Sequence, residues 1–247
     1  MAREFDGIQE KLQRTQENVL NLESEVVRFF NESDYPVFSK DDKQLLLKQI
    51  EYHRNRPIPL RFAVLAGEIV HHLRSCFDHV AWLFSSPTHQ ASKDARFIEF
   101  PILEQRPTQQ NMFTSYERKI QGIADARVRD LIEKLQPYNA TNPRDSFLRV
   151  IHNLDVADKH KELVIMFNVG AFQVPMDVMR RYANYASIDP VGSRAMLKAE
   201  FERHGEVLPE IAFRDFFDGE IEPVVQGLML LFNFTVIQMK AFDQLSP

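Results

Sequence analysis

The sequence predicts a mainly α (α+β) fold, a helical bundle with a small antiparallel β-sheet, in one domain over residues 1–247. Two observations lead to this expectation. Several long segments repeat apolar residues at three- and four-residue steps, as amphipathic helices do. One later region is richer in strand formers. The helical core is expected at about 4–31, 59–84, 124–158 and 221–244, with the β element at about 163–217.

Composition and charge indicate an ordinary soluble globular chain, with 44% hydrophobic and 26% charged residues. The formal net charge of −5 argues against a generally basic nucleic-acid-binding surface but leaves room for a local basic groove. The single cysteine, Cys76, excludes an intramolecular disulfide framework and a thiolate zinc cage. Because no apolar leader follows Met1, no signal peptide is expected, and the chain is expected to be cytoplasmic.

The first half of the chain divides at prolines. The first helix, 4–31, carries one apolar stripe, whereas 35–55 is expected to be extended, although its three consecutive leucines suit a helix as well. Pro59 precedes the next helix, 59–84. Residues 86–121 are expected to be irregular, with 97–102 as a buried anchor.

The second half begins with a helix at 124–136, stopped by a proline. Asn142 as cap and Pro143 at the first position predict that the next helix starts there and runs to about Asp158. Strands are expected at Leu163 to Val174, Ala195 to Arg203 and Glu210 to Phe217, with a turn at Asp218-Gly219. The apolar helix 221–244 is interrupted by polar residues, so it is expected to be a core helix and not a membrane span.

Two polar segments carry the candidate chemistry. The first, 67–82, holds three histidines, an arginine, the cysteine and the only tryptophan, and the second is 152–161. We expect at least one side-chain hydrogen bond or salt bridge between 68–79 and 152–160, because polar groups beside apolar stripes need partners. On a helix, the first segment presents two adjacent polar stripes: Glu68, His72, Ser75 and His79 on one, and His71, Arg74 and Asp78 on the other.

The spacing Arg74-x4-His79 resembles the Arg-x(4–6)-His motif of the HEPN superfamily. The resemblance implies a helical, usually dimeric and often metal-independent endoribonuclease. Arg74 would hold phosphate and His79 would transfer protons during attack by the ribose 2′-hydroxyl. The supporting residues would be His72, Asp78, Asp155, Lys159 and His160. RNA or a nucleotide is then the expected ligand and a homodimer the expected assembly, with no cofactor and no membrane partner.

Four strings, "GEIVHHLRSCFDHVAW", "FPI", "LIEKLQPY" and "NLDVADKHKELV", resemble a broad set of uncharacterised bacterial proteins. Those proteins tend to show a leucine-arginine-serine and aspartate-histidine helix followed downstream by aspartate-lysine-histidine. The resemblance covers roughly residues 5–167. It implies a common fold and brings no activity with it.

Two alternatives remain. In the first, the protein is a non-catalytic scaffold whose buried polar network fixes helix register, with Arg74 bridging Asp78 and a carboxylate on a neighbouring helix. In the second, it is a metal-binding bundle, because Glu68-x-x-His71 resembles half of a di-iron carboxylate site. Asp155, Asp158 or His160 would complete that site. Alternatively, His72 and His79 would form a three-histidine site with His152 or His160. The cations at 159–161 could also bind an anion, or simply complement a helix C-terminus.

Overall fold

The computed structural model describes residues 5–35, 42–110, 113–161, 163, 165–170, 208–217 and 220–246. Within these ranges the chain is a helical bundle with a three-stranded antiparallel sheet, which confirms the expected fold class. The helices are α1 Asp6–Asn31, α2 Lys43–Asn55, α3 Leu60–Leu83, α4 Pro87–Gln90, α5 Arg118–Ile120, α6 Ala126–Lys134, α7 Phe147–His160 and α8 Val224–Asp243. The strands are β1 Ile165–Gly170, β2 Leu208–Phe217 and β3 Glu220–Pro223.

Helix α3 lies at the centre of the bundle and packs against α1, α7 and α8. Its mean hydropathy is high for a helix that also carries charge, and half of its residues are buried. Helix α1 runs antiparallel to it, because the rings of Phe5 and Phe84 lie 6.3 Å apart at one end and those of Phe29 and Phe62 lie 5.8 Å apart at the other. This register decides which polar residues of the two helices face each other.

Helix α2 occupies Lys43–Asn55, so the expectation of extended structure at 35–55 is wrong over these residues. The side chain of Asp42 accepts hydrogen bonds from the backbone N–H groups of Gln44 and Leu45, at 2.9 and 3.0 Å. An aspartate in this position stabilises a helix start, and leucine, lysine and glutamine are good helix formers. Residues 36–41 lie outside the described part of the chain.

Helix α7 begins later than expected, at Phe147 and not at Asn142. The Asn142 side chain does act as a cap, accepting from the Arg144 N–H at 3.3 Å, but it caps only the 3-10 turn Pro143–Asp145. The backbone is extended at Ser146 before α7 starts. The buried Phe147 ring then packs 5.6 Å from that of Phe234 on α8, which anchors the start of α7 in the core.

The sheet has the order β1-β2-β3, with both pairs antiparallel and Ile165 opposite Phe213. The expectation of helix from residue 221 is wrong for 221–223, because these residues pair with β2 and the helix begins only at Val224. Pro223, which has no N–H to donate to a ladder, marks the change from strand to helix. The strand expected at 195–203 and the turn expected at 218–219 lie outside the described residues.

Helix α8 and the segment 97–102 complete the core. Phe100 is fully buried, with its ring centroid 5.1 Å from that of Phe77 and 6.0 Å from that of Phe242, so the expected anchor is present. In the described part of the chain, α8 is the one helix long and apolar enough to cross a membrane. In this structure 61% of its most apolar window is buried inside the protein, as a core helix would be.

Candidate functional site

The two polar segments meet where α7 crosses α3. Nδ1 of His71 lies 3.0 Å from Oδ1 of Asp155, and Nζ of Lys159 donates to Oδ2 of the same carboxylate at 2.6 Å. Asp155 is 2% exposed, whereas the side chains of His71 and Lys159 are about half exposed. The predicted link between 68–79 and 152–160 is therefore confirmed, and it is made through a buried carboxylate.

Gly67 leaves room on α3 for the Asp158 side chain of α7. A Cβ at this position would lie 2.1 Å from Oδ1 and 2.5 Å from Cγ of Asp158, closer than non-bonded atoms can be. Burial raises the pKa of Asp158, and the charges of Asp155 and Glu68 act in the same direction. The α3–α7 contact thus brings three carboxylates together, offset by His71 and Lys159.

Arg74, one turn after His71 on α3, is enclosed in a network of its own. Its Nη1 donates to Oδ1 of Asp78 at 2.6 Å and its Nη2 donates to the carbonyl oxygen of Phe100 at 3.1 Å. The same Asp78 oxygen accepts from the Phe100 N–H at 3.0 Å. Arg74 is 6% exposed. The guanidinium therefore ties α3 to the buried Phe100, and its second partner is a backbone carbonyl, not the carboxylate expected of a scaffold.

His79, the other half of the Arg-x4-His motif, makes no hydrogen bond to Arg74. Five residues along a helix correspond to a rotation of about 140°, so the two side chains leave α3 in different directions. The charges that act on His79 are those of Lys11, on α1, and Asp78. The structure thus places the predicted phosphate clamp and the predicted proton-transfer group on different faces.

His79 instead shares a face with His72, seven residues earlier. Seven residues rotate by only about −20° and rise about 10 Å, which puts both imidazoles on one stripe. Lys11 lies at the level of His79 along the helix pair, because it follows Phe5 by six residues and His79 precedes Phe84 by five in the antiparallel register. We call Lys11, His72 and His79 the α1–α3 site.

The charge of Lys11 acts on the pKa of His72, Cys76 and His79, so Lys11 lies within electrostatic range of all three. Burial lowers the pKa of His79, and the Lys11 charge lowers it further. Burial likewise lowers the pKa of His72, helped by Lys11, His71 and Arg14 against the opposing charge of Glu68. Both imidazoles are therefore held neutral near pH 7 and can accept a proton.

The ring nitrogens of His72 are not equivalent. Its Nδ1 is buried without a hydrogen-bond partner, so Nε2 is the nitrogen through which the half-buried ring can exchange a proton. His79 is exposed. Among the described residues, Lys11 is half-buried and has no ion-pair partner. The α1–α3 site therefore offers one cation and two proton-transfer groups at the surface.

The remaining predicted residues lie elsewhere. Lys159 is paired with Asp155, and His160 is exposed at the end of α7. Neither makes a hydrogen bond or ion pair with Arg74 or His79 in the described part of the chain. His152 is half-buried with an unpartnered Nδ1, and burial lowers its pKa, followed by the charges of Arg74 and Lys119.

The metal alternatives gain no support from this arrangement. Within the described ranges, no three histidine, cysteine, aspartate or glutamate side chains lie together in a way that could hold a metal ion. The carboxylate that His71 contacts, Asp155, is already satisfied by His71 and Lys159. The donors that a di-iron or three-histidine site needs are therefore not assembled here.

Compared with known proteins, the chain matches no family model, no curated protein and no solved structure. Function is therefore argued from geometry. The residue that sequence reasoning missed is Lys11. The only available signal was its position on a predicted amphipathic helix, and nothing in the sequence fixes the register that places it opposite His79.

Proposed function

We propose that this protein is a metal-independent endoribonuclease that acts at the α1–α3 site, with His72 and His79 as the acid–base pair and Lys11 as the phosphate-binding cation. The observation that supports this proposal is the placement of two imidazoles on one face of α3 within electrostatic range of Lys11, which has no ion-pair partner in the described part of the chain. Histidine suits proton transfer near neutral pH, and a pair of such groups can serve as base and acid in one reaction.

Because the two imidazoles lie about 10 Å apart along α3, one of them exchanges its proton directly and the other through one water molecule. One neutral imidazole takes the proton of a ribose 2′-hydroxyl, and the 2′-oxygen attacks the adjacent phosphorus. The bond from phosphorus to the 5′-oxygen breaks, and the second imidazole, in its protonated form, gives that oxygen a proton. The products are a 2′,3′-cyclic phosphate and a 5′-hydroxyl. Lys11 stabilises the negative charge that builds up on the non-bridging oxygens.

This proposal keeps His79 from the HEPN-like motif and changes the role of Arg74. A clamp needs donors that face the ligand, but the Arg74 donors are directed at Asp78 and Phe100 inside the core. Among the described residues, Lys11 is the cation whose charge acts on the pKa of His79. We therefore assign phosphate binding to Lys11 and a structural role to Arg74.

The experiment is a digest of a fluorescein-labelled, single-stranded RNA oligonucleotide of mixed sequence in excess chelator. We expect cleavage with cyclic phosphate ends, and no cleavage of DNA of the same sequence, which lacks the 2′-hydroxyl. His72→Ala and His79→Ala should each reduce the rate by about 10²–10⁴-fold. His160→Ala is the matched control, since His160 is an exposed α-helical histidine outside the site, and it should cut like the wild type.

The dependence of the rate on pH gives an independent check. A reaction that needs one neutral and one protonated imidazole is fastest between their two pKa values. Because burial and Lys11 lower the pKa of both groups below 6.5, the optimum should lie on the acidic side of that value. The other charges facing the pair are those of Arg14, Glu68, His71 and Asp78. An optimum well above pH 7 would contradict the assignment.

A non-catalytic scaffold is the second candidate, and the Arg74 network favours it. A guanidinium that joins α3 to the backbone of Phe100 fixes how two elements pack, whatever the α1–α3 site does. The scaffold interpretation predicts that the wild type cuts no RNA in the digest described above. It also predicts that His72→Ala and His79→Ala change no property other than stability.

A further inference from the structure

A cleft of about 510 Å³ opens at the end of the bundle where α3 finishes. Its volume lies within the range of small-molecule binding sites. Aromatic and polar groups share its wall, among them Phe5, Trp82, Phe84, Ser86, Gln90 and Arg127. An aromatic surface beside a few directed polar groups is the composition expected of a site for a flat, heteroatom-rich ligand.

Trp82 is the residue of this cleft that most needs an explanation. It is the only tryptophan of the chain and is 44% exposed, although a side chain of this size is usually buried for most of its surface. Its ring is therefore available as a stacking surface. Bases of single-stranded nucleic acids stack on such rings because every base has a π-face.

The cleft adjoins the α1–α3 site. Trp82 follows His79 by three residues on α3, and side chains three residues apart on a helix are neighbours, with Cβ atoms about 5–6 Å apart. Phe5, on the opposite wall, precedes α1, the helix that carries Lys11. A ligand whose flat part lies on Trp82 therefore has its next group within reach of His79 and Lys11.

We propose that this cleft binds a base of single-stranded RNA, stacked on Trp82, so that the attached phosphodiester lies at Lys11 and His79. This inference rests on the proposed function and adds the part of the substrate that the α1–α3 site does not hold. The acidic chain offers little long-range attraction to RNA, so stacking supplies affinity that charge does not.

Gln90 is positioned to contact the edge of the stacked base. Its Nε2 donates to the backbone carbonyl oxygen of Trp82 at 2.7 Å, which fixes the amide beside the tryptophan. The amide oxygen is then directed elsewhere and can accept a hydrogen bond from an exocyclic amine. Amide side chains commonly read base edges in this way. A preference for bases that carry an amine follows from this placement.

The test uses Trp82 as its own reporter, because a chain with one tryptophan has an emission that reports this cleft alone. The probe is a single-stranded DNA oligonucleotide, which offers bases and phosphates but lacks the 2′-hydroxyl and is not cut. We expect saturable quenching of Trp82 emission by the oligonucleotide and none by inorganic phosphate. Unchanged emission at saturating oligonucleotide would overturn the inference.

Two variants measure the contribution of stacking. Binding is followed by the fluorescence anisotropy of a labelled oligonucleotide, which does not depend on the tryptophan. Trp82→Ala should weaken binding about fivefold or more, whereas Trp82→Phe, which keeps an aromatic ring, should weaken it less. Equal affinity of wild type and Trp82→Ala, with both proteins folded by circular dichroism, would also overturn the inference.

Failure of the cleft and failure of the catalytic proposal give different results. If His79→Ala retains the quenching and the wild type cuts no RNA, the cleft binds bases and the catalytic proposal fails. If the wild type cuts RNA while Trp82→Ala leaves the KM unchanged, catalysis stands and the stacking site is wrong. Cleavage with a raised KM and a nearly unchanged kcat in Trp82→Ala supports both.

Discussion

Replacing Arg74 by methionine should destabilise the protein by about 2–4 kcal/mol, because the substitution keeps the apolar stem and removes only the guanidinium. The Phe100 carbonyl, in a fully buried residue, loses its Arg74 donor, which costs about 1–3 kcal/mol. The variant also loses the charge-assisted hydrogen bond from Arg74 to Asp78. A buried bond of this kind contributes about 1.5–3 kcal/mol to stability, and this one contributes less because the Asp78 carboxylate is 37% exposed.

The assay is urea unfolding followed by far-ultraviolet circular dichroism, with the midpoint and the slope fitted for each protein. Arg127→Met is the matched control. Its guanidinium lies 2.6 Å from Asp125, the same distance as in the Arg74–Asp78 pair, but on the surface, where the Arg127 side chain is 68% exposed. We expect no resolvable change for the control. Equal losses in the two variants would refute the reasoning that burial gives the Arg74 network its strength.

Three further outcomes are expected. Gly67→Ala should lower the free energy of unfolding by roughly 1 kcal/mol in the wild type, because the added Cβ meets the Asp158 carboxylate. In an Asp158→Ala background, where helix propensity alone acts, the same substitution should raise it by about 0.5–1 kcal/mol. A change of the same sign in both backgrounds would contradict the steric account. Cys76 is fully buried and burial raises the pKa of its thiol to about 12, so a thiol reagent such as Ellman's should react with it only after unfolding, and prompt reaction in the native protein would count against this packing. Stability should fall as the pH drops below 6.5, because burial lowers the pKa of His72, His79 and His152 and the unfolded chain then takes up protons that the folded chain does not. The urea midpoints at about pH 7.5 and about pH 5.5 should therefore differ less in His152→Gln than in the wild type. The charged neighbours of His152 remain in this variant: Arg74, Lys119, Asp155 and Glu99. A difference equal to that of the wild type would exclude His152 as a contributor.

Periodicity predicted the long elements well. Helices α1, α3 and α8 carry apolar stripes long enough to be recognised without tertiary information, and their observed bounds lie within a few residues of those expected. Short elements depended on local contacts that periodicity does not report. The Asp42 side chain caps the start of helix α2. The packing of the Phe147 ring against Phe234 anchors the start of α7.

The candidate site was predictable only in part, for a related reason. The meeting of His71 and Asp155 followed from two polar segments that each needed partners. The direction of the Arg74 side chain could not be predicted in this way, because motif spacing does not reveal that the buried Phe100 carbonyl accepts a hydrogen bond from it. Lys11 could not be connected with His79 from the sequence, since the effect of its charge on His79 depends on the antiparallel register of α1 against α3.

The most direct test of the central claim is the chelator-resistant digest of single-stranded RNA by four proteins measured side by side: wild type, Lys11→Ala, His79→Ala and His160→Ala. The account predicts cyclic phosphate ends from the wild type and from His160→Ala, with cleavage lost in His79→Ala and strongly reduced in Lys11→Ala. If the wild type leaves the RNA intact, or if His79→Ala cuts it at the wild-type rate, the α1–α3 site is not the centre of an endoribonuclease.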